Sequence, residues 1–233
     1  MKIWQKLYSF IKFCFFIFIM QILFSCSSMN SERIAPSISG AYDSIKGALF
    51  GYADPVFNKE IINRIPYASA ILKIGKGSSG LIILESIDSY SYVWVSKDKV
   101  YLKTKNGRIV QTEGLFNNLT NLTSPSQSFE EVLNNPQAVM DYFSYYSYDQ
   151  PYLLDLSVKV SIVNKGPQEV EILGEVKNLI LIEETISNDE IRWYRKNLFW
   201  VDPKDYFVWK SVQHISPKLP SFTLQITKRP SSK

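Results

Sequence analysis

Apolar and polar residues alternate with a period of two along several stretches of the chain after residue 66. The pattern is regular over Leu154–Ile162 and again over Phe222–Thr227. Because successive side chains of a β-strand point to opposite faces, this alternation predicts strands with one buried face, as in antiparallel sheets. Together with turns rich in Gly, Asn, Asp and Pro, similar patterns predict further strands at Ala70–Ile74, Leu81–Ile87, Tyr90–Ser96, Val100–Thr104, Arg108–Thr112, Glu169–Glu175, Leu179–Ile186, Ile191–Trp200 and Tyr206–His214.

The segment Gly114–Gln150 differs from its surroundings because it contains many Asn and Ser residues. Ser128 and Glu131 match a capping box, and Asn135 before Pro136 matches an N-cap followed by proline at the first helical position. We therefore expect a long connection with one or two short helices laid across the sheet. With about ten antiparallel strands, this predicts a mainly β fold, either barrel-like or a strongly curved sheet.

Asn106 and Gly107 separate two of the predicted strands, Val100–Thr104 and Arg108–Thr112. Asn-Gly is favoured in two-residue type I′ hairpin turns, where both residues adopt positive φ. The pair therefore predicts a tight hairpin, in which Gly107 is a structural residue and not a ligand contact.

A basic and then strongly apolar segment begins the chain. The apolar run Phe13–Phe24, which only Gln21 interrupts, follows three lysines: Lys2, Lys6 and Lys12. The run is shorter than the about 20 residues that a membrane-spanning helix needs. A basic start followed by roughly 7–15 apolar residues is typical of a secretory signal peptide. Residues 1–25 are therefore predicted to be a signal peptide.

The order Leu23-Phe24-Ser25-Cys26 at the end of this segment resembles a bacterial lipobox. The resemblance implies cleavage after Ser25 and makes Cys26 the predicted lipid-attachment site. It also implies sorting to the outer membrane, because Ser27 and not Asp follows the cysteine. Two or more acyl chains give stable membrane anchoring, so a triacylated Cys26 would be a firm anchor.

The rest of the chain is expected to form a tether and one domain. Residues 26–39 have little apolar content and no clear periodicity, which predicts a flexible tether. Residues 40–233 are predicted to form a single β-rich domain, with a short helix near Ala41–Phe50.

The net charge of the chain depends on its first residues. The whole chain has a formal net charge of +4, and removal of residues 1–25, with three lysines and no acidic residue, lowers it to +1. Nucleic-acid-binding domains usually present a basic face, so no nucleic-acid partner is predicted. Cys14 leaves with the signal peptide and Cys26 carries lipid, so no disulfide is expected in the domain.

Candidate catalytic groups are sparse. Gly75–Gly80 fits G-x-G-x-x-G, but a predicted strand and not a helix follows, which favours a hairpin loop over a dinucleotide site. His214 is the only histidine, so no catalytic triad or zinc site can be assembled around it, and we expect a surface or sheet-edge position. Glu183 and Glu184 are adjacent on a predicted strand and point to opposite faces. We predict no catalytic residue, metal site or cofactor, and no enzymatic activity.

Four tryptophans lie on predicted strands: Trp94, Trp193, Trp200 and Trp209. Strand tryptophans usually fill a core. The alternative is that they line a barrel and stack on a saccharide or contact an acyl chain.

Three stretches together resemble one protein family: Arg64–Gly77, Val93–Leu115 and Asn197–Lys228. They contain, in this order, Pro66-Tyr67-Ala68-Ser69, Trp94 with Ser96, Gly107-Arg108-Ile109-Val110, and Phe199-Trp200-Val201-Asp202-Pro203. This order is similar to that of the YjbF/GfcB family of lipoproteins associated with group 4 capsule and exopolysaccharide production. The resemblance implies a mainly β, barrel-like fold, a periplasm-facing position at the outer membrane and a role in polysaccharide secretion or assembly. It supplies no catalytic residues.

The favoured hypothesis is therefore a non-enzymatic accessory lipoprotein of capsule or exopolysaccharide secretion. Its expected partners are the outer membrane, through the lipid anchor, and a polysaccharide or a protein of the export machinery. The alternative is a periplasmic carrier or chaperone for lipid or lipoprotein, which would use an apolar hollow inside a curved sheet. A polysaccharide-modifying enzyme is a third hypothesis, which would need converging carboxylates.

Overall fold

The computed structural model describes residues 54–88, 91–125 and 129–230. The predicted signal peptide, Cys26, the tether over residues 26–39 and the predicted helix Ala41–Phe50 lie outside these residues. Among the residues described, no helix is both long enough and apolar enough to cross a membrane.

The described residues form twelve strands and two short helices. The helices are α1 (Lys59–Asn63) and α2 (Phe129–Asn134). The strands are β1 (Ser69–Ile74), β2 (Gly80–Asp88), β3 (Ser91–Ser96), β4 (Tyr101–Lys105), β5 (Arg108–Glu113), β6 (Leu119–Thr123), β7 (Met140–Tyr148), β8 (Leu153–Ile172), β9 (Glu175–Asn188), β10 (Trp193–Val201), β11 (Val208–Gln213) and β12 (Phe222–Lys228).

All twelve strands belong to one antiparallel sheet with the order β5-β4-β3-β2-β1-β12-β11-β10-β9-β8-β7-β6. The first and last strands of this order, β5 and β6, are adjacent at a seam, where the Leu119 N–H donates to Thr112 Oγ1 at 2.9 Å. The sheet is therefore a nearly closed barrel. The predicted fold class, mainly β and barrel-like with a mid-chain helix, is confirmed.

Alternate side chains of the strands point into the barrel and form its hydrophobic core. Val158, Val160 and Ile162 of β8 are at most 1% exposed, whereas the intervening Lys159 faces outwards. The alternation predicted from Leu154 begins two residues later, because the pairing of β7 with β8 shifts near Asp155, whose φ is +51°. Leu154 is consequently 57% exposed.

The middle of the chain is more regular than predicted. The segment Gly114–Gln150 contains α2, as expected, but also the strands β6 and β7, which the sequence analysis did not predict. In β7, the buried side chains include Tyr142 and Tyr146, and the exposed ones include Phe143 and Tyr145. Because both faces of the strand carry aromatic residues, its sequence does not show the alternation of apolar and polar residues that predicts a strand.

The predicted N-cap at Asn135 is wrong. The Asn135 N–H donates to Glu131 O, as at the end of α2, and no helix follows Pro136. The side chain of Ser128, the other half of the predicted capping box, lies outside the described residues. The five-residue helix α1 was not predicted.

The predicted strand Glu169–Glu175 is confirmed as far as Ile172, where β8 ends, but its continuation to Glu175 is wrong because it crosses a turn. Leu173 and Gly174 have φ values of +52° and +79°, and they connect β8 to β9. Near this turn, Val170, Ile172 and Leu179 form a second hydrophobic cluster with Trp200 and Trp209. Trp200 lies between the inward-facing Phe199 and Val201, so this hairpin covers the outer face of the barrel.

Two predicted turns are confirmed. Gly75–Ser79 connects β1 directly to β2, so Gly75–Gly80 belongs to a hairpin and opens no helix. At the other turn, Asn106 and Gly107 have φ values of +49° and +77°, and Lys105 pairs with Arg108, as in a two-residue type I′ hairpin. A Cβ at Gly107 would overlap Val208, which adds a packing reason for glycine at this position.

Candidate functional site

One end of the barrel, here called the cavity end, is formed by the β4–β5 turn, the β10–β11 loop (residues 202–207) and Arg229 after β12. These segments surround a cavity of about 220 Å³. Four aromatic residues line it: Tyr92, Trp94, Tyr206 and Phe207. Aromatic walls with a few polar groups are typical of small-molecule sites.

Trp94 forms the rigid inner wall of the cavity. Its side chain is 1% exposed, and its indole Nε1–H donates to Thr104 Oγ1 at 3.0 Å. Tyr92 contacts it edge to face, with 6.1 Å between the ring centroids. This arrangement places Trp94 in the core and in the cavity wall at once, so the two interpretations of its role are compatible.

The β10–β11 loop is held by its own carboxylates. Asp202 Oδ1 accepts from Lys204 N–H at 3.0 Å, and Asp205 Oδ1 accepts from Phe207 N–H at 3.1 Å. The backbone of Asp202 also exchanges hydrogen bonds with Tyr206 N–H, at 2.9 Å, and Phe207 O, at 2.8 Å. Asx-type turns of this kind fix a loop without a sheet ladder.

Tyr206 in this loop has a φ of +61°. Left-handed backbone costs a bulky residue free energy, and such strain is retained where the surrounding structure enforces it, often at functional sites. The loop therefore keeps a strained tyrosine in the wall of the cavity, where it packs against the hydrophobic core.

Asp205 and Arg229 are the charged side chains at the cavity wall, whereas the neighbouring Lys210 holds its ammonium 5.2 Å from the ring centroid of the outward-facing Trp200. Arg229 forms an ion pair with Asp205, and its guanidinium lies 4.2 Å from the Phe207 ring centroid. Burial acts to raise the pKa of Asp205, but the hydrogen bonds from Arg229 and from the Phe207 backbone outweigh it and hold that pKa below its usual value. Asp205 is thus an ionised, occupied carboxylate.

Arg108, next to the β4–β5 turn, forms a buried ion pair across the barrel. Its Nε and NH2 groups donate to Glu184 Oε2 at 3.2 and 2.8 Å, and Asn197 Nδ2–H donates to Glu184 Oε1 at 2.9 Å. The guanidinium lies 4.4 Å from the ring centroid of Phe129 on α2 and 5.2 Å from that of Phe199. The pair therefore connects β5, at the seam, to β9 on another part of the wall.

The charges of this pair also act on their surroundings. Burial acts to lower the pKa of Arg108, but the charge of Glu184, its hydrogen bond to Arg108 and the nearby Tyr142 and Tyr146 together raise it. Burial, together with the charge of Glu184, raises the pKa of Tyr146 well above its usual value. Tyr146 is therefore neutral at physiological pH, and the ion pair is a structural brace.

The turn itself is fixed to the wall by Gln213. Gln213 Nε2–H donates to Gly107 O at 2.8 Å, and Gln213 Oε1 accepts from Ile109 N–H at 2.9 Å. The neighbouring His214 N–H donates to Asn197 Oδ1 at 2.7 Å. Amide side chains thus connect β10 and β11 to the β4–β5 hairpin and to Glu184.

The opposite end, here called the amide end, is filled by hydrogen-bonded groups. Asn118 donates from its backbone and side chain to the two carboxylate oxygens of Asp149, both at 2.7 Å. Asn117 Nδ2–H donates to Gln150 O at 2.7 Å, and the Ser216 hydroxyl donates to Asn117 Oδ1. The hydrogen bond from Asn118 lowers the pKa of Asp149.

The predicted site residues are not brought together. Cys26 lies outside the described residues, so its lipidation remains a prediction. Glu183 and Glu184 do point to opposite faces: Glu184 is 4% exposed, while Glu183 accepts from Lys196 at 3.0 Å on the outside. His214 is partly buried, and burial with the charge of Arg195 lowers its pKa. No metal-binding group of three or more His, Cys, Asp or Glu residues occurs within the described ranges.

The tryptophans divide between the two faces of the sheet. Trp94 and Trp193 are at most 2% exposed and belong to the barrel core. Trp200 and Trp209 lie on the outside under the β8–β9 hairpin, where Trp200 Nε1–H donates to Gln168 Oε1 at 3.0 Å. Among the four, only Trp94 lines the cavity described above.

Sequence patterns alone did not identify the Arg108–Glu184 pair or the cavity role of residues 205–207. A signal for the first existed, because Glu184 alternates in phase with the inward-facing Ile182 and Ile186. A carboxylate on an apolar face requires a partner. Nothing local identified Arg108 as that partner, 76 residues away.

Comparison with known proteins identifies the family. A family model described as "Group 4 capsule polysaccharide lipoprotein gfcB, YjbF" matches residues 42–227. The chain is 28% identical over 167 residues to a protein of Escherichia coli named Uncharacterized lipoprotein GfcB, covering 69% of this chain and 75% of that protein. It is 23% identical over 190 residues to Uncharacterized lipoprotein YjbF of Escherichia coli, covering 80% and 84%.

A solved structure shares the fold. The crystal structure of the hypothetical lipoprotein YmcC from Escherichia coli superposes with a TM-score of 0.67 at 20% sequence identity, covering 82% of this chain and 96% of that one. The match to the family model extends from before α1 to the penultimate residue of β12 and includes the loop that forms the cavity wall. This chain belongs to the YjbF family of group 4 capsule polysaccharide lipoproteins.

Proposed function

We propose that the protein is an outer-membrane lipoprotein that acts without enzymatic activity in the secretion or assembly of a capsule or exopolysaccharide. In this proposal its cavity end holds a saccharide unit of the polymer. Cys26 carries the lipid, residues 26–39 span the distance to the domain, and the domain faces the periplasm. Membership of a family of group 4 capsule polysaccharide lipoproteins supports the role in polysaccharide production, and the lipobox pattern supports the anchor.

The aromatic cavity is the observation that carries the saccharide part of the proposal. Tyr92, Trp94 and Phe207 place aromatic rings along the wall, and Asn106 adds a polar side chain, while the Thr104 and Ser211 hydroxyls are bonded to Trp94 and Gln213. Sugar rings combine apolar faces with peripheral hydroxyls, so a site that pairs aromatic walls with hydrogen-bonding groups suits them. The hydrogen bonds of Trp94 and of residues 202–207 hold this wall in place before binding, which lowers the entropy cost of association.

The lipid-carrier alternative is less well supported. The cavity volume of about 220 Å³ lies below the roughly 300–1,000 Å³ of sites that enclose drug-sized ligands. Inside the barrel, Phe199, Phe222 and Ile182 are fully buried, and the Arg108–Glu184 pair occupies the middle. A charged pair is unfavourable beside an acyl chain.

Complementation of a deletion strain tests the proposed role. Deletion of the gene should lower cell-surface polysaccharide, and the wild-type gene should restore it with unchanged sugar composition. The double variant Tyr92→Ala/Phe207→Ala should restore little. The matched control Phe143→Ala/Tyr145→Ala removes the same two residue types from the exposed outer face of β7 and should restore it fully. Full restoration by the cavity variant, at equal abundance, would contradict the proposal.

Fractionation tests the anchor separately. Cys26→Ala protein should no longer sediment with outer membranes after a salt wash, because a domain of net charge near +1 has little electrostatic attraction to lipid. Sedimentation of a mature-sized Cys26→Ala protein with that membrane would show that the domain, and not the lipid, fixes the position.

A further inference from the structure

Resting on the proposed lipid anchor, we infer that the amide end is a membrane-docking surface, whose apolar loop tips lie in the headgroup interface of the membrane that holds Cys26. Exposed apolar side chains gather at this end, and the described chain begins there. In this orientation the cavity end points away from the membrane, where a polymer can reach it.

Large apolar side chains are exposed in adjacent turns of the amide end. They are here called the apolar rim: Phe116, Tyr152, Leu153, Leu154 and Ile191. The first lies in the β5–β6 loop, the next three in the β7–β8 turn and the first residues of β8, and the last in the β9–β10 turn. Exposed apolar patches of this kind mark protein or membrane interaction sites.

Hydrogen bonds join these turns into one surface. Asn117 Nδ2–H of the β5–β6 loop donates to Gln150 O of the β7–β8 turn at 2.7 Å. Asn188 connects the next two elements: its Nδ2–H donates to Ser157 O of β8 at 2.7 Å, and its Oδ1 accepts from Ile191 N–H at 3.0 Å. Strands β9, β8, β7 and β6 are neighbours in the sheet. The apolar rim is therefore a continuous arc.

The described chain begins at the same end of the barrel. Asp54 Oδ2 accepts from Lys73 Nζ at 2.6 Å, and its Oδ1 accepts from the N–H of Ser79, in the β1–β2 turn, at 2.8 Å. From there the chain runs along the outside of the barrel to Ile65, whose carbonyl accepts from Lys228 Nζ at 2.7 Å near the cavity end. The connection to Cys26 therefore leaves from the amide end.

The length of that connection permits the contact. Residues 26–53 can span at most about 100 Å, so their length alone would let either end of the barrel meet the membrane. The apolar rim favours the amide end, because aromatic and aliphatic side chains gain free energy in the membrane interface. The lipid keeps the rim at a roughly millimolar effective concentration, so a contact too weak to hold the protein alone is still populated.

The expected contact is apolar and not electrostatic. Charges in the turns and loops that connect strands at this end nearly balance, with Lys76, Lys97, Lys99, Arg192 and Lys218 on one side and Asp98, Asp149, Asp189 and Glu190 on the other. The two carboxylates beside the rim are engaged, since Asp149 accepts from Asn118 and Asp189 accepts from the Tyr194 hydroxyl at 2.8 Å. Raising the salt concentration should therefore have little effect on docking.

Fluorescence of the full-length, lipid-modified protein in vesicles of phosphatidylethanolamine and phosphatidylglycerol tests the inference. With Cys14 removed and Cys26 acylated, an introduced cysteine is the only thiol to label. An environment-sensitive dye on Phe116→Cys or Tyr152→Cys should show blue-shifted emission and quenching by lipids spin-labelled near the headgroup. Val139→Cys is the matched control, because Val139 is 62% exposed, close to the 66% of Phe116, but precedes β7 at the cavity end. Its dye should remain in water.

A charged variant tests whether the rim itself makes the contact. Tyr152→Asp/Leu154→Asp should abolish quenching of the dye on Phe116→Cys, because carboxylates are unfavourable in an apolar environment. The protein should stay on the vesicles through its lipid, with an unchanged unfolding midpoint. The control Tyr67→Asp/Val139→Asp changes exposed residues at the cavity end and should leave the quenching intact.

The outcomes separate the docking from the proposed anchor. Protein that floats with the vesicles but shows no quenching at the rim, or equal quenching at Val139→Cys, overturns the docking and leaves the anchor standing. Rim dyes that stay in water on vesicles but become shielded in isolated outer membranes overturn it too, because the rim then contacts a protein. Unmodified Cys26 in the mass spectrum, with protein that does not float, overturns the anchor and the docking together.

Discussion

At the cavity end, aromatic and charged side chains surround open space, whereas at the amide end Ser216 bonds to Asn117 and Asn118 bonds to Asp149. Both ends consist of loops between antiparallel strands, so the sheet imposes no difference on them. The difference lies in where the polar groups are directed. The polar groups at the amide end are hydrogen-bonded to other groups of the protein. At the cavity end, some of the polar groups remain available to a ligand.

The largest expected effect concerns the buried pair beneath the cavity end. Glu184→Ala leaves Arg108 buried without its carboxylate, and removal of one partner from such a pair costs roughly 3–5 kcal/mol. The free energy of unfolding, measured by urea denaturation of the full-length protein, should fall by that amount.

The adjacent outer residue is the control for this change. Glu183→Ala breaks only the exposed pair with Lys196 and should cost less than about 1 kcal/mol. The double variant Arg108→Met/Glu184→Leu should recover most of the stability lost in Glu184→Ala. A cost below 1 kcal/mol for Glu184→Ala would show that the cavity end does not depend on this brace.

The second effect concerns the turn at the cavity end. Gly107→Val combines a strained positive φ with an overlap against Val208, and we expect a loss of about 2–4 kcal/mol in the free energy of unfolding. Gly174→Val is a matched control, because Gly174 has a similar φ of +79° but no atom near its Cβ position.

The difference in unfolding free energy between Gly107→Val and Gly174→Val separates the cost of the overlap with Val208 from the cost of backbone strain. Gly174→Val should cost only the strain, roughly 1–3 kcal/mol. An equal loss in the two variants would mean that the contact of the β4–β5 turn with Val208 is unimportant, and an unchanged unfolding midpoint in Gly107→Val would contradict the tight turn.

The third effect belongs to the amide end. Asn118→Ala removes the side-chain donor to Asp149 and both side-chain hydrogen bonds with Leu115 but keeps the backbone donor, so we expect a loss of about 1–3 kcal/mol in stability. Sugar binding at the other end should be unchanged in the same variant. A loss of sugar affinity without global unfolding would contradict the independence of the two ends.

The smallest effect is a pH dependence. The hydrogen bond from Asn118 lowers the pKa of Asp149 in the folded protein, so this group contributes stability above its unfolded pKa and loses it as the pH falls through the folded value. Asp149→Asn should therefore be less stable than wild type at pH 7, and the difference should narrow below about pH 4. Thermal melting of both proteins across this pH range tests the prediction. A stability difference that does not change with pH would contradict the lowered pKa of Asp149.

Local patterns predicted those parts of the fold in which one face is apolar and the turns have distinctive residues. Leu81–Ile87 and the Asn106-Gly107 turn are examples. Strand β7 was missed because Tyr142 and Tyr146 face the core while Phe143 and Tyr145 face solvent, so hydrophobicity does not alternate. The helix after Pro136 was wrongly expected because a capping pattern is too short to outweigh strand pairing.

The site was less predictable than the fold because it depends on contacts between distant segments. Arg108 and Glu184 meet across the barrel although 76 residues separate them. The aromatic character of Tyr206 and Phe207 was visible in the sequence, but their place opposite Tyr92 and Trp94 follows from the order of twelve strands. Asp202 and Pro203 belonged to a recognised motif whose role in bracing the loop needed the structure.

The pairing of β1 with β12 has a consequence for how the barrel is assembled. These strands are neighbours in the middle of the sheet, and the hydroxyls of Ser69 and Thr227, 158 residues apart, lie 2.9 Å from each other. A chain synthesised from its N-terminus presents β1 first, but one edge of β1 has no native partner until the final strand emerges. Contacts of such long range slow folding and leave an unpaired strand edge exposed meanwhile. The newly made protein is therefore most vulnerable to aggregation just before its last strand arrives.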